Sequence, residues 1–250
     1  MIPKIVHYCW LSGDPYPNKI NKCLESWKQT LPDYNFILWD TVRFNVDSVR
    51  WVKEAYSVKK YAFASDYIRF FALYNYGGIY LDTDVEVIKN FNDLLACQSF
   101  MGFEYSGLPE AAVIGAQVGC EWIGKCLNWY EGESFFDKHG KYRETVVPLL
   151  VKKIYEKEIG VRLLDSGDVR LGENSIYPYQ YFSPKNPYTG KINISPVTYV
   201  VHHFESAWQK KSFSVKIRKI VHLLLLLIIG KKRNDVFMYL LRGFRNKNEK

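Results

Sequence analysis

The clearest periodic pattern lies between Tyr61 and Tyr76, a stretch without proline or glycine. Its aromatic positions recur at the spacing of one helical face, which predicts a helix. Gly77 and Gly78 end this pattern, since glycine adopts the left-handed conformation that closes many helices. The aromatic positions are Phe63, Tyr67, Phe70, Phe71 and Tyr74.

A short apolar run, Ile79-Tyr80-Leu81, follows the two glycines and predicts a buried strand. The strand delivers Asp82-Thr83-Asp84 to its carboxyl end, and extended structure resumes from Val85 to Ile88. The chain therefore presents two acids, spaced i and i+2, directly after a strand.

Strand-like and helix-like segments alternate over the rest of the first 208 residues. This alternation predicts an α/β fold, in which ligands bind at the carboxyl ends of the strands. The predicted strands are Lys4–Leu11, Asn35–Trp39, Ser99–Glu104, Ala111–Ala116, Val161–Leu164, Ile176-Tyr177 and Thr198–His202. The predicted helices are Asn18–Leu31, a helix capped by Asp47-Ser48 and running to Tyr56, Trp122–Glu131 and Glu144–Glu158.

The composition divides the chain into two parts. Of 34 basic and 26 acidic residues, 12 basic and 2 acidic ones lie between Gln209 and Lys250. We therefore expect a near-neutral folded domain over residues 1–208 and a basic tail over residues 209–250. The five cysteines are odd in number and lack C-x-x-C spacing, which favours reduced thiols over a disulfide framework or a zinc site.

The tail carries apolar helical stripes flanked by lysines and arginines. Its longest apolar run, Ile220–Ile229, would span about 15 Å as a helix, which is too short to cross a bilayer. A basic amphipathic tail of this kind suits an anionic membrane surface better than nucleic acid. Packing of a helical hairpin against the near-neutral domain is the alternative.

The acids of the central stretch suit a hard divalent cation. Asp82 and Asp84 would offer carboxylate oxygens to Mn²⁺ or Mg²⁺ and leave positions for phosphate oxygens. Asp66 and Arg69 lie one helical turn apart and should project together beside that site. A guanidinium and a carboxylate there would serve a pyrophosphate and a sugar hydroxyl.

Two further residues follow predicted strands at the same edge. Trp10 ends the first strand and is placed to stack on a nucleotide base. Asp40 follows the second strand and could accept from a base N–H or a ribose hydroxyl. Its alternative role is that of a helix cap or loop acid.

The string S-D-x-x-R, seven residues, G-G-x-Y-x-D-x-D resembles the sugar-binding region of family 32 glycosyltransferases. That family includes mannosyltransferases, α-1,4-galactosyltransferases and bacterial capsule transferases, and the clostridial glucosylating toxins carry a similar string. The resemblance extends over roughly Ile2 to Trp208. It implies a Rossmann-like GT-A fold that transfers a sugar from a nucleotide donor with retention of configuration.

The resemblance also implies roles for individual residues. Trp10 and Tyr80 would frame the nucleotide, Asp66 would hold sugar hydroxyls, and Arg69 would stabilise the diphosphate. A second string, His202-His203-Phe204-Glu205-Ser206-Ala207-Trp208, is similar to the family's last motif. Its spacing favours His203 over His202 as the third metal ligand beside Asp82 and Asp84, with Ser206 and Trp208 at the diphosphate.

These features lead us to expect a metal-dependent glycosyltransferase that uses a UDP-sugar, with GDP-mannose as the other donor. A polyprenyl-diphosphate-linked glycan of capsule or O-antigen assembly is the expected acceptor. The expected location is the cytoplasm, at the inner face of the plasma membrane. Two alternatives are a toxin-like effector that glycosylates a protein and a non-catalytic membrane or nucleic-acid binding protein.

Overall fold

A computed structural model describes residues 1–105, 107–143, 147–159, 173–186 and 189–205. Its centre is a six-stranded sheet in the order β2-β1-β3-β6-β5-β7. Five of these strands run in one direction and β6 runs against them. The strands are β1 Ile5–Cys9, β2 Asn35–Trp39, β3 Gly78–Leu81, β5 Ser99–Phe103, β6 Pro109–Ala116 and β7 Asn174–Tyr177.

Two further strands form a small antiparallel ladder beside the main sheet. They are β4, Val85–Val87, and β8, Val200–His202. Because β4 follows the D-x-D acids after a single turn, the ladder brings the end of the described chain to the acidic edge of the large sheet.

The helices cover both faces of the sheet. One face packs against α2, α3, α4 and α5, and the other packs against α1. On the α1 side, the Trp27 indole lies edge-on to Tyr8 and donates to the Val85 carbonyl over 2.7 Å. The helices are α1 Asn18–Thr30, α2 Arg50–Ser57, α3 Tyr61–Tyr76, α4 Glu121–Trp129, α5 Val147–Ile159 and the short α6 Tyr179–Phe182.

The predicted α/β fold is confirmed by this mostly parallel sheet, with its acids at the carboxyl end of β3. Several boundaries differ from the sequence prediction. A 3-10 turn, Val46–Ser48, precedes α2, and the short helix α6 is absent from the predicted helices. The predicted strand Val161–Leu164 and the tail from Gln209 lie outside the described residues. Within the described part of the chain, no helix combines the length and apolarity needed to cross a bilayer.

Gly77 and Gly78 turn the chain from α3 into the centre of the sheet. Both have positive φ, at 62° and 105°. A Cβ at position 78 would stand 2.6 Å from the Ile5 carbonyl oxygen, well inside contact distance. Glycine is therefore required for the close approach of β3 to β1.

His7, in the interior of the protein, links β1 to this turn through a hydrogen bond. Its side chain is fully buried and accepts at Nδ1 from the Trp39 indole N–H over 3.2 Å. Since that indole can only donate, the ring proton belongs on Nε2, which lies 2.8 Å from the Gly77 carbonyl. Burial lowers the pKa of His7 to about 4, and the hydrogen bond to Gly77 only partly opposes this.

This histidine should make the protein sensitive to acid. The unfolded state takes up a proton near pH 6.5 and the folded state only near pH 4, so stability is lost as the pH falls through that window. The full loss corresponds to about 3 kcal/mol. Urea unfolding at a series of pH values should show this dependence and should show it reduced in His7→Gln. The change His139→Gln, at an exposed histidine, should leave the dependence intact.

Candidate active site

The D-x-D acids occupy a tight turn whose backbone is fixed at both ends. The Asp82 N–H donates to the Ala112 carbonyl over 2.9 Å, which extends the pairing of β3 with β6. The Val85 N–H then donates back to the Asp82 carbonyl over 3.0 Å. Both carboxylates are thereby held at the carboxyl end of β3.

A histidine from the far end of the described chain completes this site. The β4–β8 ladder pairs Val85 with His202, and the His202 Nε2 lies 3.5 Å from Asp84 Oδ1. One ligand atom from each of Asp82, Asp84 and His202 lies within 4.8 Å of the other two. In the described residues, this is the one cluster of acids, histidines or cysteines that could hold a metal ion.

The sequence prediction of His203 as the third ligand is corrected by this geometry. Neighbouring side chains of a strand point to opposite faces, and His203 follows the last residue of β8. Its Nε2 lies 2.7 Å from Glu86 Oε2, away from the D-x-D acids. The register of β8 against β4 therefore selects His202, the alternative that spacing alone did not favour.

The electrostatics of the cluster also fit a cation. Burial alone would raise the pKa of Asp84, but His202 and the Glu205 N–H outweigh it and hold the pKa at about 2. Burial opposes the charged form of His202, yet Glu110 and Asp84 raise its pKa well above the usual value. Two carboxylates and one imidazole are a donor set that Mn²⁺ accepts, and Mg²⁺ would use the oxygens. The residues present thus fit a divalent cation.

Glu110 belongs to the same cluster and was missed by the sequence analysis. It is 3% exposed and lies on β6, with its Oε2 at 3.2 Å from His202 Nδ1. The available signal was a lone acid in the otherwise apolar segment from Leu108 to Ala116. The predicted strand began one residue later, at Ala111, and so left Glu110 out.

Arg69 lies beneath the cluster rather than at its open side. Its guanidinium donates to Asp66 over 2.8 Å and to the Ala111 carbonyl over 2.5 Å, and it approaches Asp82 at 3.4 Å. Asp66 and Arg69 project together as predicted, but both are buried. Since the guanidinium points inward, its effect on a diphosphate would pass through Asp82 rather than through direct contact.

Asp66 and Asp82 both contact the Arg69 guanidinium, and Asp66 is the more deeply buried of the two. Burial raises the pKa of Asp66 to about 7, although the Arg69 charge opposes this rise. Burial also raises the pKa of Asp82, again against Arg69. The predicted role of Asp66, holding sugar hydroxyls, remains a prediction.

Tyr80 does not reach the edge where a nucleotide would bind. It is 1% exposed and lies in the core, with its ring 4.8 Å from the Arg69 guanidinium carbon. The alternation along β3 turns Tyr80 toward α3, so the predicted contact with the nucleotide is wrong. Tyr80 supports Arg69 instead.

The segment Gly115-Ala116-Gln117 lies at the end of the sheet opposite to the acids. Because β6 runs antiparallel to β3, Ala116 pairs with Gly78 at the start of β3, whereas the beginning of β6 meets the acids. A Cβ at Gly115 would stand 2.1 Å from the Phe100 ring, so the glycine accommodates that ring.

Trp10 and Asp40 lie together at the carboxyl edge. Their strands are paired up to Cys9 and Trp39, immediately before them. The partly buried Trp10 indole packs 4.9 Å from the Tyr16 ring and donates to the Asp14 carbonyl over 2.7 Å. Asp40 Oδ1 accepts from the backbone N–H groups of Val42 and Arg43, so this oxygen serves as a turn cap. Ser206 and Trp208 lie outside the described residues.

The arrangement around Arg69 predicts a large cost for removing its charge. Arg69→Leu should lower the free energy of unfolding by about 3 kcal/mol, because it leaves Asp66 and Asp82 without their buried cation. Urea unfolding measures this change. Arg50→Leu is the matched control, since Arg50 pairs with Glu54 on the surface and should contribute less than about 1 kcal/mol. Equal effects of the two substitutions would contradict the bridging role of Arg69.

Comparison with known families identifies the region that contains these acids. Residues 17–101 match the family described as the glycosyltransferase sugar-binding region containing a DXD motif. Asp66, Arg69, Asp82 and Asp84 all fall within the match. A solved structure, the PaToxG glycosyltransferase, is 20% identical with a TM-score of 0.49, over 64% of this chain and 70% of that one.

Two curated relatives come from yeasts. The mannosyl phosphorylinositol ceramide synthase SUR1 of Saccharomyces cerevisiae is 32% identical over 195 residues, 73% of this chain and 50% of that protein. Inositol phosphoceramide mannosyltransferase 3 of Schizosaccharomyces pombe is 36% identical over 98 residues, 38% of this chain and 27% of that protein. The chain thus spans half or less of the length of these relatives. The resemblance found in the sequence is confirmed, because residues 17–101 match the DXD-containing sugar-binding region of glycosyltransferases.

Proposed function

We propose that this protein is a metal-dependent glycosyltransferase that moves a sugar from a nucleotide-diphosphate donor to a lipid-linked acceptor. The observation that carries the proposal is the convergence of Asp82, Asp84 and His202 within 4.8 Å at the carboxyl edge of the sheet. Trp10 leaves β1 at that same edge. This combination supports binding of a base, a diphosphate and a cation side by side.

The proposed cation site uses Asp82, Asp84 and His202, with Mn²⁺ or Mg²⁺ as the ion. A bound divalent cation would supply charge that stabilises the diphosphate leaving group. The Asp84 carboxylate is already oriented in the structure, because its Oδ2 accepts from the Glu205 N–H over 2.8 Å. Asp82 is held from below by Arg69, so that neither carboxylate has to reorganise before binding.

The residues proposed to bind the donor lie near the carboxyl edge of the sheet. Trp10 would stack on the base, and the free Asp40 oxygen would accept from the base or the ribose. Asp66 would hold sugar hydroxyls once the donor is bound. Retention of the anomeric configuration is proposed from the resemblance, and a front-face displacement would not require a protein base.

The relatives' names bear on which sugar is transferred. They name a mannosyltransferase and a mannosyl phosphorylinositol ceramide synthase, which supports a mannosyl donor for this chain. We therefore propose GDP-mannose as the first donor to test, and UDP-sugars, expected from the sequence, as the second class.

The acceptor proposed here is a lipid that carries a phosphate next to its sugar or polyol. Inositol phosphoceramide in the relatives' names has this chemistry, as does the polyprenyl-diphosphate glycan expected from the sequence. The basic, apolar composition of residues 209–250 supports docking at an anionic membrane surface, with the protein in the cytoplasm.

The donor can be identified by release of free nucleotide. The full chain is incubated with GDP-mannose, UDP-glucose, UDP-galactose, UDP-N-acetylglucosamine or UDP-N-acetylgalactosamine, with and without Mn²⁺. We expect metal-dependent hydrolysis of one donor, and a loss of about 100-fold or more in Asp84→Asn, since several kcal/mol of charge stabilisation would be removed. Asp47→Asn, at an exposed acid that pairs with Lys53, should behave as wild type.

The acceptor is then tested with the donor that the hydrolysis assay identifies. Inositol phosphoceramide, a polyprenyl-diphosphate sugar and a soluble sugar are offered in turn, and the glycosylated product is measured. Transfer to the soluble sugar alone would contradict the lipid-linked acceptor. Hydrolysis that is unaffected by metal removal and by Asp84→Asn would contradict the proposed cation site.

A further inference from the structure

Glu110 occupies a position that is costly for a charged side chain. It is 3% exposed near the start of β6, where the strand meets the D-x-D turn. A buried carboxylate without partners would strongly favour its neutral form. Instead, each oxygen of the Glu110 carboxylate has a polar partner. The site therefore holds this group as an acceptor of hydrogen bonds.

The two carboxylate oxygens of Glu110 have different partners. Oε1 accepts from the Ala112 backbone N–H over 3.0 Å, and that donor is fixed in the strand. Oε2 lies 3.2 Å from His202 Nδ1. The first contact fixes the rotation of the carboxylate, and the second fixes the imidazole.

This arrangement decides which ring nitrogen of His202 is free to bind. A carboxylate can only accept, so the proton belongs on Nδ1, between the ring and Glu110. Nε2 then faces Asp84 Oδ1 at 3.5 Å, and a divalent cation bound there would take the place of any proton on Nε2. The Phe204 ring, with its centroid 3.9 Å from that of the imidazole, limits tilting of the ring.

We infer that Glu110 is the positioning residue of the cation site, because it fixes the orientation of His202 and keeps Nε2 available beside Asp82 and Asp84. The inference rests on the proposed function. Carboxylates that accept from the second nitrogen of a metal-binding histidine fix its tautomer, and their loss commonly weakens metal binding about 10- to 100-fold.

Glu110→Gln is the sharpest test. An amide has only one accepting oxygen, and the fixed Ala112 N–H would donate to it. The amide NH₂ would then face His202 Nδ1. That contact favours the tautomer with the proton on Nε2, where it blocks ligation. Mn²⁺ affinity, measured by electron paramagnetic resonance of the free ion, should fall about 10-fold or more.

The structure supplies a matched control in Glu86→Gln. Glu86 contacts the adjacent His203 at 2.7 Å, also through a carboxylate oxygen and an imidazole nitrogen, here Nε2, but on the other side of β4. This variant should bind Mn²⁺ like wild type. Electron spin echo envelope modulation should detect a coordinated imidazole nitrogen in wild type and Glu86→Gln, and should lose that signal in Glu110→Gln.

A second variant addresses folding. Glu110→Asp keeps a carboxylate with a shorter reach, so the nitrogen signal should return in part, with an affinity between those of wild type and Glu110→Gln. Circular dichroism without metal reports whether each variant is folded. If Glu110→Gln does not fold, a wild-type affinity in Glu110→Asp overturns the inference and a reduced affinity supports it.

The outcomes separate this inference from the proposed function. Wild-type affinity and nitrogen coordination in folded Glu110→Gln would overturn the positioning role and leave the proposed function standing. An equal loss in Glu86→Gln would also overturn it, because the effect would not be specific to His202. Failure of the wild-type protein to bind Mn²⁺ at all would overturn both the inference and the metal dependence.

Discussion

The candidate site depends on the pairing of β4 with β8. This short ladder joins segments that are far apart in the chain: the Glu205 N–H bonds to Asp84 across 121 positions. The same pairing sets Val85 against His202, which brings an imidazole to the acids. Without it, Asp82 and Asp84 would be two acids on an exposed turn. With it, they become part of a cluster that combines oxygen and nitrogen donors.

The charges around this cluster are arranged in two layers. Arg69 lies beneath Asp82 and Asp66, and its own position is fixed by the Tyr80 ring and the Ala111 carbonyl. Glu110 lies beneath His202 in the same way. Asp82 and His202 are therefore each supported by a charged group in the interior. Such support holds the binding groups in place before a ligand arrives.

The sequence predicted the fold and the acids because these features depend on local pattern. The helix at 61–76, the Gly77-Gly78 turn and the strand that ends at Asp82 can all be recognised from neighbouring residues. The choice between His202 and His203 depends on strand register, which is set by a partner far along the chain. The expected contact of Tyr80 with the nucleotide fails for a related reason, since Tyr80 packs against Arg69 in the core. Residue spacing does not say which face of β3 is covered by α3.

The central claim is that the β8 register makes His202 the third partner of the D-x-D acids, and it can be tested directly. Mn²⁺ binding to wild type, His202→Ala and His203→Ala should be titrated under one set of conditions by electron paramagnetic resonance. The structure predicts that His202→Ala weakens binding about 10-fold or more and that His203→Ala does not. Weaker binding in His203→Ala with unchanged binding in His202→Ala would contradict this account.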